Sequence, residues 1–258
     1  MDIVGKVVVV TGGAGGIGEA IARRFAADGA RGVAVVDLDL DRATAVATDI
    51  GGLALQADLR RQADVERVVA SVEAELGPID IFCSNAGIGM AGGVELPTDE
   101  WQAIWDINVM AHVHAARAVL PGMIERGRGY LVNTASAAGL LTQLGSAPYA
   151  VTKAAAVSLA EWLAITHGDQ GISVSVLCPQ AVNTAMIAGM DAGGVAGVDG
   201  ILEPDDVAAA VAAAIAAEEF LITPHPSVRD YIKRKADDPD RWIHGMQRLQ
   251  QRFPKPMG

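Results

Sequence analysis

The sequence predicts an α/β fold: a doubly wound, seven-stranded parallel sheet with helices on both faces, forming a single domain over residues 1–258. Three observations predict it. Short runs rich in Val, Ile and Leu alternate with stretches of helical periodicity, the order that builds a parallel sheet covered on both sides. The chain has 258 residues, 51% of them hydrophobic, enough for one large shared core without disulfides or metal. A glycine-rich turn joins the first apolar run to the first helical run, where the backbone must reverse sharply.

Taken in order, Lys6 to Val10 is the first strand run, and Ile17, Ile21 and Phe25 then recur at i, i+4, i+8 and predict a crossover helix. Val33 to Asp37 and Leu53 to Asp58 read as the second and third strands. Val65, Val68, Val69, Val72 and Leu76 repeat at helical spacing until Gly77 and Pro78 stop the turn. Ile79 to Ser84, Tyr130 to Thr134 and Ser173 to Cys178 follow as strands. Pro204 opens another helix, with Asp205 and Asp206 at its positive end and Val207, Val211 and Ile215 on one face. Phe220 to Thr223 is the seventh strand run. Two stretches break the rhythm. Gly189 to Gly200 is expected to be mobile, and the tail 224–258 is expected to be a packing extension. That tail carries Tyr231, Ile232, Trp242, Ile243, Met246, Leu249 and Phe253, large apolar groups that should settle on their own subunit or a neighbour. No internal repeat or domain linker is visible.

A formal net charge of −11 disfavours nucleic acid, whose recognition rests on clustered Lys and Arg. The longest apolar stretch, Val207 to Ala217, falls short of the roughly 20 residues that cross a bilayer, and no basic leader precedes the first strand run, so a cytoplasmic protein without membrane contact is expected. Cys83 and Cys178 lie in strand runs and read as buried thiols. His112 and His114 are two residues apart, would point in different directions on a helix, and have no third ligand at suitable spacing, so no metal is expected. His167 reads as compensation of a helix end or as surface, Trp101 and Trp105 as core packing at i, i+4, and His225, between two prolines, as a surface turn in preference to a group reaching a pocket.

The run Thr11-Gly12-Gly13-Ala14-Gly15-Gly16-Ile17-Gly18 follows a strand and opens a helix. Glycines there let the backbone approach a diphosphate, while free N–H groups and the helix dipole favour its charge. Asp37 ends the second strand, where a carboxylate can accept from both hydroxyls of an adenosine ribose and would repel a 2′-phosphate. NAD is therefore expected over NADP, the more so because no Lys or Arg stands within Gly13 to Gly15. Tyr149 and Lys153 stand at i and i+4, so on a helix both project from one face. A free phenol has a pKa of about 10, and a nearby ammonium is expected to lower it.

With these residues in place, the chain resembles the short-chain dehydrogenase/reductase family, whose Thr-Gly-x-x-x-Gly-x-Gly is matched by Thr11, Gly12, Gly16 and Gly18. The resemblance runs to about residue 225. It implies a Rossmann-type fold, an NAD-dependent alcohol dehydrogenase or carbonyl reductase, and a homotetramer with the helix of Tyr149 to Ala164 partly at an interface. By the same resemblance, Asp58 and Leu59 receive the adenine. Ser84-Asn85-Ala86-Gly87 is similar to the family's Asn-Asn-Ala-Gly, with Ser84 departing at a position expected to matter mainly to loop stability. Ser136 lies 13 residues before Tyr149, the separation the family uses, and would hold the substrate oxygen beside the phenol. Asn108 matches the asparagine that bends a helix and holds a water on the lysine, a relay of protons to solvent. Pro179, Val182 and Thr184 resemble the segment that binds the nicotinamide carboxamide. Gln180 stands there where glycine is usual; it either carries strain at positive φ or turns its amide to cofactor or substrate.

In this fold substrate lies beyond the carboxyl ends of the strands, so it should meet Ala138, Leu140, Gln143, Ala181 and the segment from Met186 to Met190. Mostly apolar walls point to an apolar or cyclic secondary alcohol or its ketone. Gln143 is a polar contact to that substrate or a surface amide. The competing readings are a catalytically silent NAD(H)-binding sensor or scaffold, and a lyase or epimerase using NAD transiently, for whose extra substrate domain no residues remain.

Overall fold

The computed structural model describes residues 1–189 and 191–253. Along the chain they form β1 (Val7–Thr11), α1 (Gly16–Ala27), β2 (Gly32–Asp37), α2 (Leu40–Ile50), β3 (Leu53–Gln56), α3 (Gln62–Glu75), β4 (Ile81–Ser84), α4 (Thr98–Trp105), α5 (Ala111–Glu125) and β5 (Gly129–Thr134). Then come α6 (Ala137–Leu141), α7 (Ala147–His167), β6 (Ile172–Leu177), α8 (Pro204–Ala217), β7 (Leu221–Ile222), α9 (Ser227–Asp237) and α10 (Pro239–Gln250). The seven strands pair in parallel in the order β3-β2-β1-β4-β5-β6-β7. The chain thus winds one way from β1 and the other way from β4, and the crevice for a ligand opens at that reversal, beyond the carboxyl ends of β1 and β4.

Side chains alternate across each strand and so serve two cores. Val8, Val10, Val33, Val35, Ile81 and Cys83 pack against α1, α2 and α8. Val7, Val9, Ala34, Val36 and Phe82 pack on the other face against α3, α5 and α7. Strands buried on both faces read as unbroken Val and Ile, which is why the runs were visible. Both cysteines are free and buried.

The expected strand boundaries shift by one or two residues throughout, with β4 opening at Ile81 instead of Ile79 and β6 spanning Ile172–Leu177. β1 is shifted by one residue to include Thr11, β7 is two residues long, and β3 stops at Gln56 instead of reaching Asp58. There the Asp58 N–H donates to the Asp64 carboxylate at 3.0 Å, which turns the chain toward α3. On α4 it is Ile104 that is buried, while Trp101 and Trp105 stay half-exposed, so the tryptophan pair does not make the core contact expected of it.

The Gly189 to Gly200 stretch belongs to an excursion that leaves and rejoins the body side by side. Val182 bridges to Leu202, Ala181 N–H donates to Ala196 at 3.1 Å, and Asn183 N–H donates to Leu202 at 2.9 Å. Short 3₁₀ turns occupy Ala185–Ile187 and Asp191–Gly197. In the tail, Val228 of α9 is fully buried against Ala137 and Leu141 of α6, with Tyr231, Ile232 and Trp242 around it. Lys235 Nζ also donates to the Leu140 carbonyl at 2.6 Å. No residue of α10 is buried, and positions 254–258 lie outside the described residues.

Candidate active site

The glycine turn sits at the mouth of the crevice. Gly12 and Gly16 adopt φ of +62° and +54°, left-handed values that disfavour side chains. A Cβ on Gly12 would come within 2.9 Å of the Ala86 backbone, and one on Gly18 would overlap the Gly12 carbonyl oxygen. Ile17 packs onto the core behind the turn. Gly15 stands before α1 with no side chain capping that helix, so its first N–H groups face outward. The cradle therefore fits a dinucleotide diphosphate. Asn85 braces it: its side-chain amide donates to Thr11 O at 3.1 Å, its carbonyl accepts from Thr134 Oγ1 at 3.2 Å, and its backbone N–H donates to Thr11 Oγ1 at 2.9 Å.

Asp37 turns its carboxylate to this rim, accepting from Ala14 N–H at 3.1 Å and from Asp39 N–H at 3.2 Å. Sequence reading missed its neighbour. Arg42, on the first turn of α2, brings Nη2 within 2.6 Å of where a Gly15 Cβ would stand, so a cation does reach the turn, from the second helix instead of from Gly13 to Gly15. Asp58 is held in an ion pair with Arg60 at 2.7 Å, and hydrogen bonding from that arginine keeps its carboxyl below the usual range. Leu59 is buried in the core, so its side chain offers little face to an adenine.

Tyr149 and Lys153 lie on one face of α7, with the Lys153 ammonium 5.7 Å from the centroid of the Tyr149 ring. Lys153 is buried, donates to the Thr134 carbonyl at 3.0 Å, and is pushed down to about 8 by that burial. The phenol does not behave as expected. In the free chain burial pushes Tyr149 up, Ser136 hydrogen bonding pulls the other way, and Lys153 contributes no resolved lowering. Burial is the larger cause, because the phenolate would lose more hydration than the Ser136 contact returns.

Ser136 caps α6, accepting from Ala138 N–H at 3.1 Å and donating to the Pro179 carbonyl at 3.3 Å. Asn108 falls in a five-residue π-helical bulge, Asp106–Met110, that breaks the run between α4 and α5. It is fully buried: Oδ1 accepts from Ile88 N–H at 2.9 Å, and Nδ2 donates to Ile88 O at 3.0 Å and to Thr152 Oγ1 at 3.2 Å. A Cβ on Gly87 would lie 3.1 Å from Lys153 Nζ and 3.2 Å from Asn108 Oδ1, so this glycine leaves the space in which the two groups converge.

The segment after β6 closes the other side. Val182 is buried, and Thr184 reaches across to within 3.0 Å of the Gly16 Cβ position, linking this segment to the glycine turn. Gln180 is not at positive φ, so the strain alternative is removed. Its Nε2 instead donates to Asp199 at 2.9 Å. Met186 is 44% exposed and places Sδ 4.0 Å from the Tyr149 hydroxyl. Gln143 keeps a half-exposed surface. Ala138 and Ala181 are buried and Leu140 packs beneath α9, so among the expected lining residues Met186 and its neighbours Ala188 and Gly189 are exposed and Gln143 is half-exposed. Met190 lies outside the described residues.

Three histidines are buried, and for one of them the surface reading is overturned. His225 is not a surface turn: it is 3% exposed and accepts the Gln180 N–H at 3.2 Å. His114 is buried with Nδ1 at 3.2 Å from the Leu59 carbonyl. His112 is buried with neither ring nitrogen partnered and is pushed down to about 3 by burial, so it stays neutral. Among the described residues no three potential metal ligands gather, and no helix is long and apolar enough to cross a membrane.

Comparison with known proteins matches this geometry. A family model described as short chain dehydrogenase covers residues 6–193. The 1-deoxy-11-beta-hydroxypentalenate dehydrogenase of Streptomyces exfoliatus is 37% identical over 253 residues, spanning 95% of this chain and 91% of that protein. The relationship therefore extends past residue 225, into the tail. Meso-2,3-butanediol dehydrogenase of Serratia marcescens is 36% identical over 71% of this chain and 74% of its own. Among solved structures, a short chain dehydrogenase/reductase from Burkholderia phymatum in complex with NAD superposes with a TM-score of 0.85 at 26% identity, covering 93% of this chain and 96% of that one. A 3-ketoacyl-(acyl-carrier-protein) reductase from Brucella melitensis complexed with NADH gives 0.81 at 32% identity, over 86% and 97%.

Proposed function

This chain belongs to the short-chain dehydrogenase/reductase family, and from that premise we propose that it is an NAD-dependent dehydrogenase interconverting a secondary alcohol and its ketone, on an apolar or cyclic substrate. The observation that carries the reading is the convergence of Tyr149, Lys153 and the Ser136 hydroxyl at the crevice beside the glycine turn. Relatives named for a hydroxypentalenate and a butanediol support the alcohol class, and the Met186 side chain over the phenol supports an apolar wall.

Gly12, Gly16, Ile17 and Gly18 would hold the diphosphate, Asp37 the adenosine ribose, Asp58 and the Leu59 backbone the adenine, Asn85, Ala86 and Gly87 the inner edge, and Pro179, Val182 and Thr184 the carboxamide. Bound NAD supplies the hydride acceptor. Ser136 Oγ holds the substrate oxygen, and the Tyr149 oxygen takes the hydroxyl proton as the carbon gives up its hydride; reduction reverses both movements. Lys153 holds a proton within reach of Tyr149, and Asn108 fixes the backbone at Ile88 across from it. With Tyr149 raised, the free site keeps its phenol protonated, so Tyr149 must release that proton before its oxygen can take the substrate's, and the positive charge of a bound nicotinamide would favour that release.

Tyr149→Phe tests this. NADH formation on a panel of cyclic and open-chain secondary alcohols, 2,3-butanediol included, should fall by at least ~1000-fold, while NADH binding changes little. Substantial residual turnover removes tyrosine from this role. We also propose that residues 1–258 act as one domain with 224–258 as its extension, and that the protein is a cytoplasmic homotetramer. The apolar residues on the outer face of α7, with Trp162 57% and Ile165 77% exposed, support the assembly. A monomer in light scattering would count against it.

A further inference from the structure

The C-terminal segment reaches the catalytic crevice through one polar cluster. Asp199, at the end of the Gly-rich excursion, accepts from Gln180 Nε2 at 2.9 Å and from the Tyr231 hydroxyl of α9 at 3.0 Å. His225, just ahead of α9, accepts the Gln180 backbone N–H at 3.2 Å. Against burial, polar contacts from Gln180, the Ser227 hydroxyl and Tyr231 hold the Asp199 carboxyl below its ordinary range, so it accepts as an anion. Three parts of the chain, the loop after β6, the Gly-rich excursion and α9, therefore meet on one carboxylate.

Packing alone does not explain the cluster. Gln180 Oε1 and His225 Nε2 are buried without a partner among the described residues, and each unmet polar atom costs stability that an apolar contact would not. Glycine, the family's usual residue at 180, would keep the backbone N–H for His225 but lose the side-chain bond to Asp199. What the arrangement does supply is position. The excursion carries Met186, whose sulfur lies over the Tyr149 hydroxyl, and it starts at Thr184 beside the glycine turn. Among the described residues no backbone hydrogen bond ties the stretch between Ala188 and Ala196 to the body, and the returning limb is fastened at Ala196 and Leu202 by backbone and at Glu203 by the Asn183 amide at 3.1 Å.

We propose that Gln180, Asp199 and Tyr231 are positioning residues: a three-way latch by which α9 holds the Gly-rich excursion, and with it Met186, against the loop after β6 on the substrate side of Tyr149. The inference rests on the dehydrogenase reading for its consequence, though not for its detection. The latch fixes a wall of the substrate site and touches no reacting atom, so it acts on substrate affinity ahead of the proton transfer itself.

Hydrogen exchange read by mass spectrometry on the full chain, with and without NADH, detects the latch without any substrate. In Asp199→Asn and Tyr231→Phe, exchange across residues 185–203 should rise about tenfold, the worth of one charge-assisted hydrogen bond, while β1 and β5 amides are unchanged. KM for the alcohol turned over best in the panel should rise about tenfold with kcat within twofold, and Gln180→Gly should do the same. Unchanged exchange in 185–203 overturns the latch. So does an increase spread over the whole sheet, which marks a general loss of stability, and so does increased loop exchange with KM unaltered. If no alcohol is oxidised, the dehydrogenase reading fails by itself, and the exchange result still decides whether the latch exists.

Discussion

The two walls of the crevice are built by opposite means. The glycine turn, Thr11 to Gly18, is made of backbone: φ angles at Gly12 and Gly16, free helical N–H groups, and a carbonyl at Gly12 against which Gly18 has no room for a methyl. The facing wall, from Pro179 through Leu202 with α9 behind it, is made of side chains far apart in sequence. Each tie has a side chain on at least one end: the His225 ring accepts the Gln180 backbone N–H, Asp199 accepts from Tyr231, and the Lys235 ammonium donates to the Leu140 carbonyl. A backbone site tolerates almost no local change and depends little on pH. A side-chain site can be loosened by degrees. The difference separates what is shared for holding a dinucleotide from what is free to vary with the substrate.

The sharpest way to break that contrast is Gly18→Ala. One methyl would overlap the Gly12 carbonyl oxygen, which is backbone and cannot rotate aside, so the turn itself has to move. NADH affinity, followed by fluorescence titration, should fall at least ~1000-fold, about 4 kcal/mol. Binding close to that of the unaltered chain would show that the turn is adaptable and the two walls are not so different.

The same contrast governs what could be read ahead of the structure. Strand runs and the Thr11 to Gly18 turn were legible because their signals are local: two-sided burial forces continuous Val and Ile, and a tight turn forces glycine at fixed spacing. Tyr149, Lys153 and Ser136 were legible as a pattern, but the direction of the Tyr149 shift was not, because it is set by how deeply the fold buries the phenol. His225 was misread as surface and Arg42 was overlooked for a related reason. Neither has a sequence neighbour that announces its partner: Gln180 is 45 residues from His225, and Gly15 is reached by Arg42 only through the fold of β2 into α2.

Second in size is a pH effect confined to the catalytic side. Lys153 titrates near 8 in the folded chain against an ordinary 10.5, so its ammonium costs stability while both states carry the proton. Below pH ~8 that cost is fully present; between about 8 and 10.5 the folded state releases a proton that the unfolded chain keeps, and stability rises. Set against Lys153→Met in urea unfolding, the difference between the two proteins should be flat below pH ~8 and then move by about 3 kcal/mol in favour of the wild type by pH ~10.5. A flat difference across the whole range would mean that the lysine is solvated, and that the catalytic face is as indifferent to pH as the glycine turn.

The smallest expected effect tests whether the backbone wall is purely backbone. Asp37 and Arg42 reach its rim with opposite charges, one accepting from Ala14 N–H and the other beside Gly15. A carboxylate at the ribose edge excludes a 2′-phosphate by repulsion, whereas a guanidinium within reach would attract one, so the preference is the balance of the two. Asp37→Ser removes the repulsion and both ribose acceptors, and the NAD over NADP ratio of kcat/KM should fall by about 30-fold, ~2 kcal/mol. Adding Arg42→Ala to that variant should take back the part of the NADP gain that comes from attraction and leave the loss with NAD in place. If Arg42→Ala changes NADP use no more than NAD use, the guanidinium is a bystander, and discrimination at this wall belongs to Asp37 and the backbone alone.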